Sequence, residues 1–421
     1  MSTAFKAADI LLPRDTADMS KWSVVACDQY ISQPEYWSET ARIVGDSPSA
    51  LDLILPEVYL GSADVDKRIS DIHANMEKYL SEGLFTEYKN SMIYVERMTS
   101  DGMRAGIVGM IDLEEYDYRR GSTSSVRATE ATVVERIPPR IKVRDGAPLE
   151  LPHIMILIDD GMGTVIEPLS SKKPSMKRLY DFDLMQKGGH ISGYLIPDEE
   201  IKRIDSSLTA LGSKDAFDNR YGLSDKPVLL YAMGDGNHSL ATAKEYYEKL
   251  KAENPGKDMS DHPARYALCE IVNLHSPALR FEAIHRIVSK VDVNALLDAL
   301  KSELSAGETP SEGQSFTAVT GDKDIKLFIG KPTSNLTVGS LQQFLDSYLK
   351  KNGGEIDYIH GEDVVRKLAE DKNSIGFLLP DMSKEELFPT VIKDGALPRK
   401  TFSMGHAEDK RFYAECRKIT E

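Results

Sequence analysis

The sequence predicts an α/β (α+β) fold: a mixed sheet carrying a strand–glycine turn–helix ligand site in a main domain over 1–290, with a smaller C-terminal α+β domain over 291–421. Three observations predict it. Short strand-like and helix-like stretches alternate along the chain. Ile154-Met155-Ile156-Leu157-Ile158 is a continuous apolar run, the pattern of a strand buried on both faces of a sheet. Val228–Met233 runs through Gly234-Asp235-Gly236-Asn237-His238-Ser239 directly into a helical pattern with Leu240, Ala243, Tyr247 and Leu250 on one face.

The elements read in order as follows. Ser23–Ala26 is a short apolar strand, and Asp28 stands where it ends, a common place for site residues in α/β proteins. Pro34–Val44 is helical. Asp64–Leu80 is an amphipathic helix with Val65, Ile69, Ile72, Met76 and Tyr79 on one face and Gly83 just beyond it. Met92–Val95 and Ala105–Leu113 form a hairpin around Asp101-Gly102. The stretch Arg119–Ser125 reads either as a linker or as an anion-binding loop, and leads into Val126–Arg136. Gly188-Gly189-His190 is a second glycine-flanked histidine. Tyr266–Leu274 is a further strand, followed by His285-Arg286. After Val291 helices alternate with short strands, and the stretch Leu397–His406 is polar and basic.

Composition narrows the function. The chain has 421 residues, 41% hydrophobic and 28% charged, with a net charge of −15. That balance disfavours a nonspecific nucleic-acid binder, whose affinity comes from neutralising phosphates with Lys and Arg. Cys27, Cys269 and Cys416 match no zinc spacing and cannot all pair, which points to the cytoplasm. Neither a secretory signal nor an apolar run of roughly 18 residues is legible, so no membrane partner is expected.

The glycine turn carries the chemistry. Backbone N–H groups at a helix start bind anions, and glycines let backbone approach a ligand closely. Asp235 and Asn237 also read simply as N-caps, and His238 as a structural histidine. The turn is not a Walker A loop, which ends in Gly-Lys-Ser/Thr, nor a dinucleotide fingerprint, which needs a third glycine.

Cys27-Asp28-Gln29-Tyr30-Ile31-Ser32, Arg127-Ala128-Thr129-Glu130, Gly188-Gly189-His190, Gly234–Ser239, His285-Arg286 and Pro398-Arg399-Lys400 occur in that order. Over nearly the whole chain this resembles the uncharacterised bacterial family catalogued as domain of unknown function 1015. More distantly, the turn is similar to the nucleotide-binding turn of the ParB/sulfiredoxin-like fold, which includes an archaeal-type free serine kinase. That likeness implies nucleotide phosphates on the helix start at Gly234, Gly236, Asn237 and Ser239, and an earlier acidic residue, Glu130, as base. The family turn reads Asp-Gly-His-His-Arg; here Asn237 replaces the first histidine and Ser239 the arginine. Another cation must then grip the phosphate, and Arg127, Arg286 and Lys400 are the candidates.

Phosphoryl transfer needs charge neutralisation, a magnesium ligand and a group that positions the acceptor hydroxyl. Asp235 suits the metal or the hydroxyl, and His238 the phosphate or acid/base work. Asp28, His190 and His285 complete the expected substrate site. The resulting expectation is a Mg2+-dependent, ATP- or ADP-using phosphotransferase acting on a small polar metabolite, with serine the acceptor the resemblance implies. Two other readings use the same residues. One is a metal-dependent phosphoester hydrolase with Asp235, His238, His190 and His285 as ligands. The other is a protein that binds a nucleotide or metabolite without turnover.

Overall fold

The computed structural model describes residues 3–130, 137–151, 153–321 and 323–420. The chain divides into two compact units, Met1–Leu279 with Gly405–Glu421, and Arg280–Met404. The sequence expectation put the division near 290 and gave the whole tail to the second part; the packing groups 405–421 with the first unit.

Unit 1 is built on a ten-stranded mixed sheet. Its strands are β1 (Phe5–Lys6), β2 (Ile93–Thr99), β3 (Gly102–Asp112), β4 (Tyr116–Asp117), β5 (Val126–Arg127), β6 (Met155–Ile158), β7 (Lys177–Asp183), β8 (His190–Leu195), β9 (Tyr231–Asp235) and β10 (Tyr266–Asn273). They lie in the order β7-β8-β2-β3-β10-β6-β9-β5-β4, with β1 on β3. The expected hairpin is β2–β3, antiparallel from Ile93↔Val108 to Thr99↔Gly102. Towards the other edge the sheet turns mixed: β10 runs parallel to β6, β9 antiparallel to β6, and β9 parallel to β5.

Both faces of this sheet are covered, so its strands alternate between two cores. Ile93, Val95 and Leu268 pack with Trp22, Trp37 and Tyr413 on one side. Tyr94, Cys269, Ile156 and Met233 pack with Leu240, Ala243 and Tyr247 on the other. The helices that matter for the site are α1 (Pro34–Val44), α2 (Val65–Ser81), α3 (Ile137–Arg144), α4 (Asp198–Leu211) and α5 (Asn237–Glu253). Helix α2 buries Ile69, Ile72, Met76 and Tyr79, the face its periodicity marks out. The expected strand at Ser23–Ala26 is instead a buried segment held by a single bridge, Val25↔Phe412. Its partner is the returning segment 405–419, which also bridges Leu11 through Cys416 and pairs Arg417–Lys418 with Leu149–Glu150.

Unit 2 is entered and left through a two-stranded ribbon, β11 (Phe281–Ala283) against β17 (Phe402–Met404). Between them lies an antiparallel five-stranded sheet of β12 (His285–Ser289), β13 (Ser315–Thr320), β14 (Lys323–Phe328), β15 (Glu355–Ile359) and β16 (Ile375–Leu378), ordered β14-β13-β16-β12-β15. Four helices accompany it: α6 (Val293–Glu303), α7 (Thr337–Asn352), α8 (Glu362–Leu368) and α9 (Lys384–Asp394). Among the described residues no helix is long and apolar enough to cross a membrane.

Candidate functional site

Strand β9 carries the glycine turn at its own C-terminal end, where α5 begins. Gly236 makes the corner at φ +80 and ψ 27, a left-handed conformation that costs other residues strain. A Cβ there would sit 3.1 Å from Ile154 Cα and 3.6 Å from His153 Cδ2. Gly236→Ala is therefore expected to destabilise unit 1 by about 1–2 kcal/mol from the backbone alone, and urea unfolding measures it. No side chain caps α5, so the first-turn N–H groups of a seventeen-residue helix keep their partial positive charge for a ligand. Asn237 Oδ1 is buried at this turn with no hydrogen-bond partner among the described residues.

Asp235 ends the strand. Its Oδ1 accepts from the Gly236 N–H at 3.0 Å, and its Oδ2 lies 3.2 Å from Lys410 Nζ. Lys410 comes from the returning segment. Beside it, Arg104 Nη1 donates to Asp409 O at 3.1 Å and Arg97 Nη2 to Glu408 O at 2.9 Å. These arginines stand on β3 and β2 and are 5% and 1% exposed. Arg97 Nε, Arg97 Nη1 and Arg104 Nε nevertheless have no hydrogen-bond partner among the described residues. Burial, with Arg104 alongside, pulls the Arg97 guanidinium down to about 9. Burial also lowers Arg104, against the pull of Glu270, Asp409 and Asp235. An anion bound beside both would satisfy the donors and offset the cost of burying the two charges.

On the opposite side of the turn Ser239 Oγ lies 3.3 Å from His153 Nε2, which also faces Asp28 Oδ2 at 3.4 Å. His153 Nδ1 is 2.7 Å from the Tyr413 hydroxyl, and that oxygen accepts from the Cys27 N–H at 3.1 Å. Burial works against the charged forms here. The attraction between His153 and Asp28 outweighs it, holding the imidazole well above its usual range and the carboxyl well below. The sign of the pH dependence follows. A raised histidine stabilises fully below its unfolded value of about 6.5 and loses that contribution as pH rises through its folded value; a depressed carboxyl stabilises above about 3.9 and loses its contribution as pH falls. The difference in urea midpoint between the parent and His153→Gln is thus expected to peak between about pH 4 and 6.5, shrinking on either side.

The other expected site residues are distributed as follows. Glu130 is half-buried and follows Thr129, whose hydroxyl donates to Met233 O at 2.8 Å; with β5 parallel to β9, this sets Glu130 beside the end of β9. His238 lies in the first turn of α5, its carbonyl accepting from Thr242 Oγ1 at 2.7 Å. Arg127 turns its guanidinium onto the carbonyls of Ser124, Pro227 and Val228, at the opposite end of β9 from the turn. His190 sits near the far edge of the sheet, between Asp183 and Asp181 at 2.8 and 2.7 Å. His285, Arg286 and Lys400 belong to unit 2. There His285 Nδ1 accepts from the Leu379 N–H at 3.2 Å, and Arg286 is buried against Gln342 Oε1 and the carbonyls of Ile284 and Arg399. Within unit 1 the structure therefore gathers Asp28, Glu130 and Gly234–Ser239, and sets Arg127 and His190 apart from them. Among the described residues no three His, Cys, Asp or Glu side chains gather to hold a metal ion.

The model of a protein family of unknown function, DUF1015, matches residues 10–348. The chain belongs to that family. The DUF1015 match takes in Asp28, Arg97, Arg104, Glu130, His153 and the whole glycine turn, and stops short of Lys410 and Tyr413. No curated protein matches the chain. Among solved structures, the chain is similar to a free serine kinase in complex with AMP, at 14% identity and TM-score 0.38 over 74% of this chain and 91% of that one. It is also similar to a C-terminally truncated SbnI from Staphylococcus aureus (8%, TM-score 0.36, 71% and 82%). A third is a conserved hypothetical protein from Pyrococcus furiosus (13%, TM-score 0.37, 74% and 95%). Likeness at these scores carries no argument about activity.

Five residues that the structure places around the turn went unread in the sequence: Arg97, Arg104, His153, Lys410 and Tyr413. Arg104 left a signal, since it stands between Met103 and Ala105, whereas Arg97 follows Glu96 and left none. His153 precedes a buried strand but reaches its partners only through the fold. Lys410 and Tyr413 lie in a segment with neither helical nor strand period.

Proposed function

We propose that the chain is a nucleotide-dependent phosphotransferase whose phosphates lie on the uncapped start of α5, gripped by Arg97, Arg104 and Lys410. The observation that carries this reading is the set of buried arginine donors without partners beside that helix start. These three cations take the place of the arginine that the turn lacks. Arg127, turned onto carbonyls at the other end of β9, has no part in it.

Asp235, with one oxygen on a backbone N–H and the other on Lys410, has the single-carboxylate character of a magnesium site completed by phosphate oxygens. Magnesium held there would neutralise charge on the transferring phosphate. In the transfer, the acceptor oxygen bonds to the terminal phosphorus. The bond to the bridging oxygen breaks, and the shortened nucleotide leaves with the electron pair. The hydroxyl proton passes to Glu130. His238 and the charged His153 face the phosphates from the first turn and from its flank. A loose transition state asks more of positioning and charge than of a strong base.

Asp235→Ala is the test. Turnover of ATP or ADP with magnesium and a hydroxyl acceptor is expected to fall about 100- to 1,000-fold, while stability changes by under about 1 kcal/mol, since the pair with Lys410 is only partly buried. Calorimetry showing no nucleotide binding to the parent protein would overturn the reading. Binding without turnover for any acceptor would replace it with a non-catalytic nucleotide-binding role.

A further inference from the structure

A cavity of about 150 Å³ opens beside the first turn of α5. Its polar end is made by Cys27, His153, Ser239 and Tyr413. Thr242 also lines it, but spends its hydroxyl on His238 O and so offers its methyl group. The body is hydrocarbon, with Leu55, Leu60, Met76, Val143 and Leu151 among its walls. Two arginines reach the wall, and each already faces a carboxylate: Arg140 Nε lies 2.8 Å from Glu57, and Arg144 Nη2 lies 2.6 Å from Glu150. The cavity therefore has one polar end, which adjoins the helix start, and a mostly hydrocarbon body whose charged wall groups are paired, with Arg144 Nε the one arginine donor there without a partner among the described residues. Gly236 packs against Ile154 and His153, both of which line the cavity.

We propose that this cavity is the acceptor site, and that the acceptor is a compact alcohol with a hydrocarbon body rather than an amino acid. The inference rests on the phosphotransfer reading, which puts the phosphates on the same turn. A cavity of about 150 Å³ takes a molecule the size of benzene, which sets the ligand at about six to eight non-hydrogen atoms. Its hydroxyl would meet Ser239 Oγ and His153 Nε2 from the cavity side, where these two atoms are hydrogen-bonded to each other at 3.3 Å, next to the helix start. Serine is the wrong shape of polarity for this space. Its ammonium and carboxylate would leave water for walls whose charges are already matched, a cost of several kcal/mol.

The experiment uses the full chain and titrates cyclohexanol, 3-methyl-1-butanol and L-serine by ligand-observed NMR, with ATP affinity measured separately by calorimetry. Val143→Phe and Leu151→Trp fill the cavity. Val143 is only half-buried, so that variant keeps the test alive if the other fails to fold. The expected result is alcohol binding weakened at least tenfold in both variants, ATP affinity within twofold of the parent, and alcohol-stimulated ADP release that both variants lose. Tighter binding of serine than of either alcohol, or alcohol binding indifferent to both substitutions, would overturn the assignment even with ATP bound normally. Alcohol binding that the variants abolish, in a protein that binds no nucleotide, would sink the phosphotransfer reading and with it the acceptor role.

Discussion

Replacing Glu150 with glutamine is expected to cost unit 1 about 3–5 kcal/mol, the largest effect of any single substitution considered. Glu150 is 4% exposed and serves three donors at once: Arg417 Nε at 2.8 Å, Arg144 Nη2 at 2.6 Å and the Leu268 N–H at 2.8 Å. Arg417 belongs to the returning segment, Arg144 to α3 and Leu268 to β10, so one carboxylate ties three distant stretches of chain. Glutamine keeps the shape and removes the charge, which leaves two buried guanidinium groups facing a neutral amide. Burial opposes ionisation of Glu150, but the two arginines and the backbone donor outweigh it and hold the carboxyl below its usual range. Its contribution is therefore present above the unfolded value of about 4.3 and lost as pH falls through the folded one. Urea unfolding of parent and variant should converge in acid. A loss below about 1 kcal/mol at neutral pH would mean that water replaces the carboxylate.

The second large effect has opposite signs in the presence and absence of ligand. Arg97→Met removes a buried cation with two unpartnered donors, so the ligand-free protein is expected to gain about 1–3 kcal/mol. ATP binding, by contrast, is expected to weaken by about 2–4 kcal/mol, roughly 30- to 1,000-fold in Kd. Binding in the parent should fall with added salt less steeply than for exposed lysines, because buried charges are weakly screened. Paired melts with and without ATP read both signs in one experiment. A variant that is destabilised without ligand and binds ATP normally would show that Arg97 holds the segment at Glu408 and nothing more.

Much of the architecture was legible where a period was present. Helix α2 declares its buried face at Ile69, Ile72, Met76 and Tyr79, and β6 declares its burial by having no polar residue at all. The strand–turn–helix at 228–253 was visible because the apolar run stops at two glycines and a helical stripe resumes. The match to the family over 10–348 agrees with the resemblance drawn from ordered short motifs. What stayed hidden depends on contacts between distant stretches. Val25 and Phe412 are joined by one bridge, Trp22 Nε1 donates to Ala414 O at 3.0 Å, and no local pattern announces either. His153 shows the same limit in the site. Asp28, Ser239 and Tyr413 meet it from three separate parts of the chain, so the sequence displayed Asp28 and Ser239 without the residue that joins them. Arg127 shows the converse, since a cation on the strand that runs beside β9 is committed by its hydrogen bonds to carbonyls at the far end of β9 from the turn.

The paired strands β11 and β17 have a consequence for how this chain is made. They bring the start and finish of unit 2 side by side, the geometry of a module spliced into a host gene at one point. During synthesis unit 1 must wait for residues 280–404 to emerge before the segment carrying Lys410, Tyr413 and Arg417 can complete its packing and its candidate site. Until then Trp22 and Val25 lack the segment that covers them, and apolar surface left open in this way favours aggregation of the nascent chain. Excising the module and rejoining its two neighbouring ends through a short glycine-serine link would shorten that delay, and would report whether unit 1 matures alone.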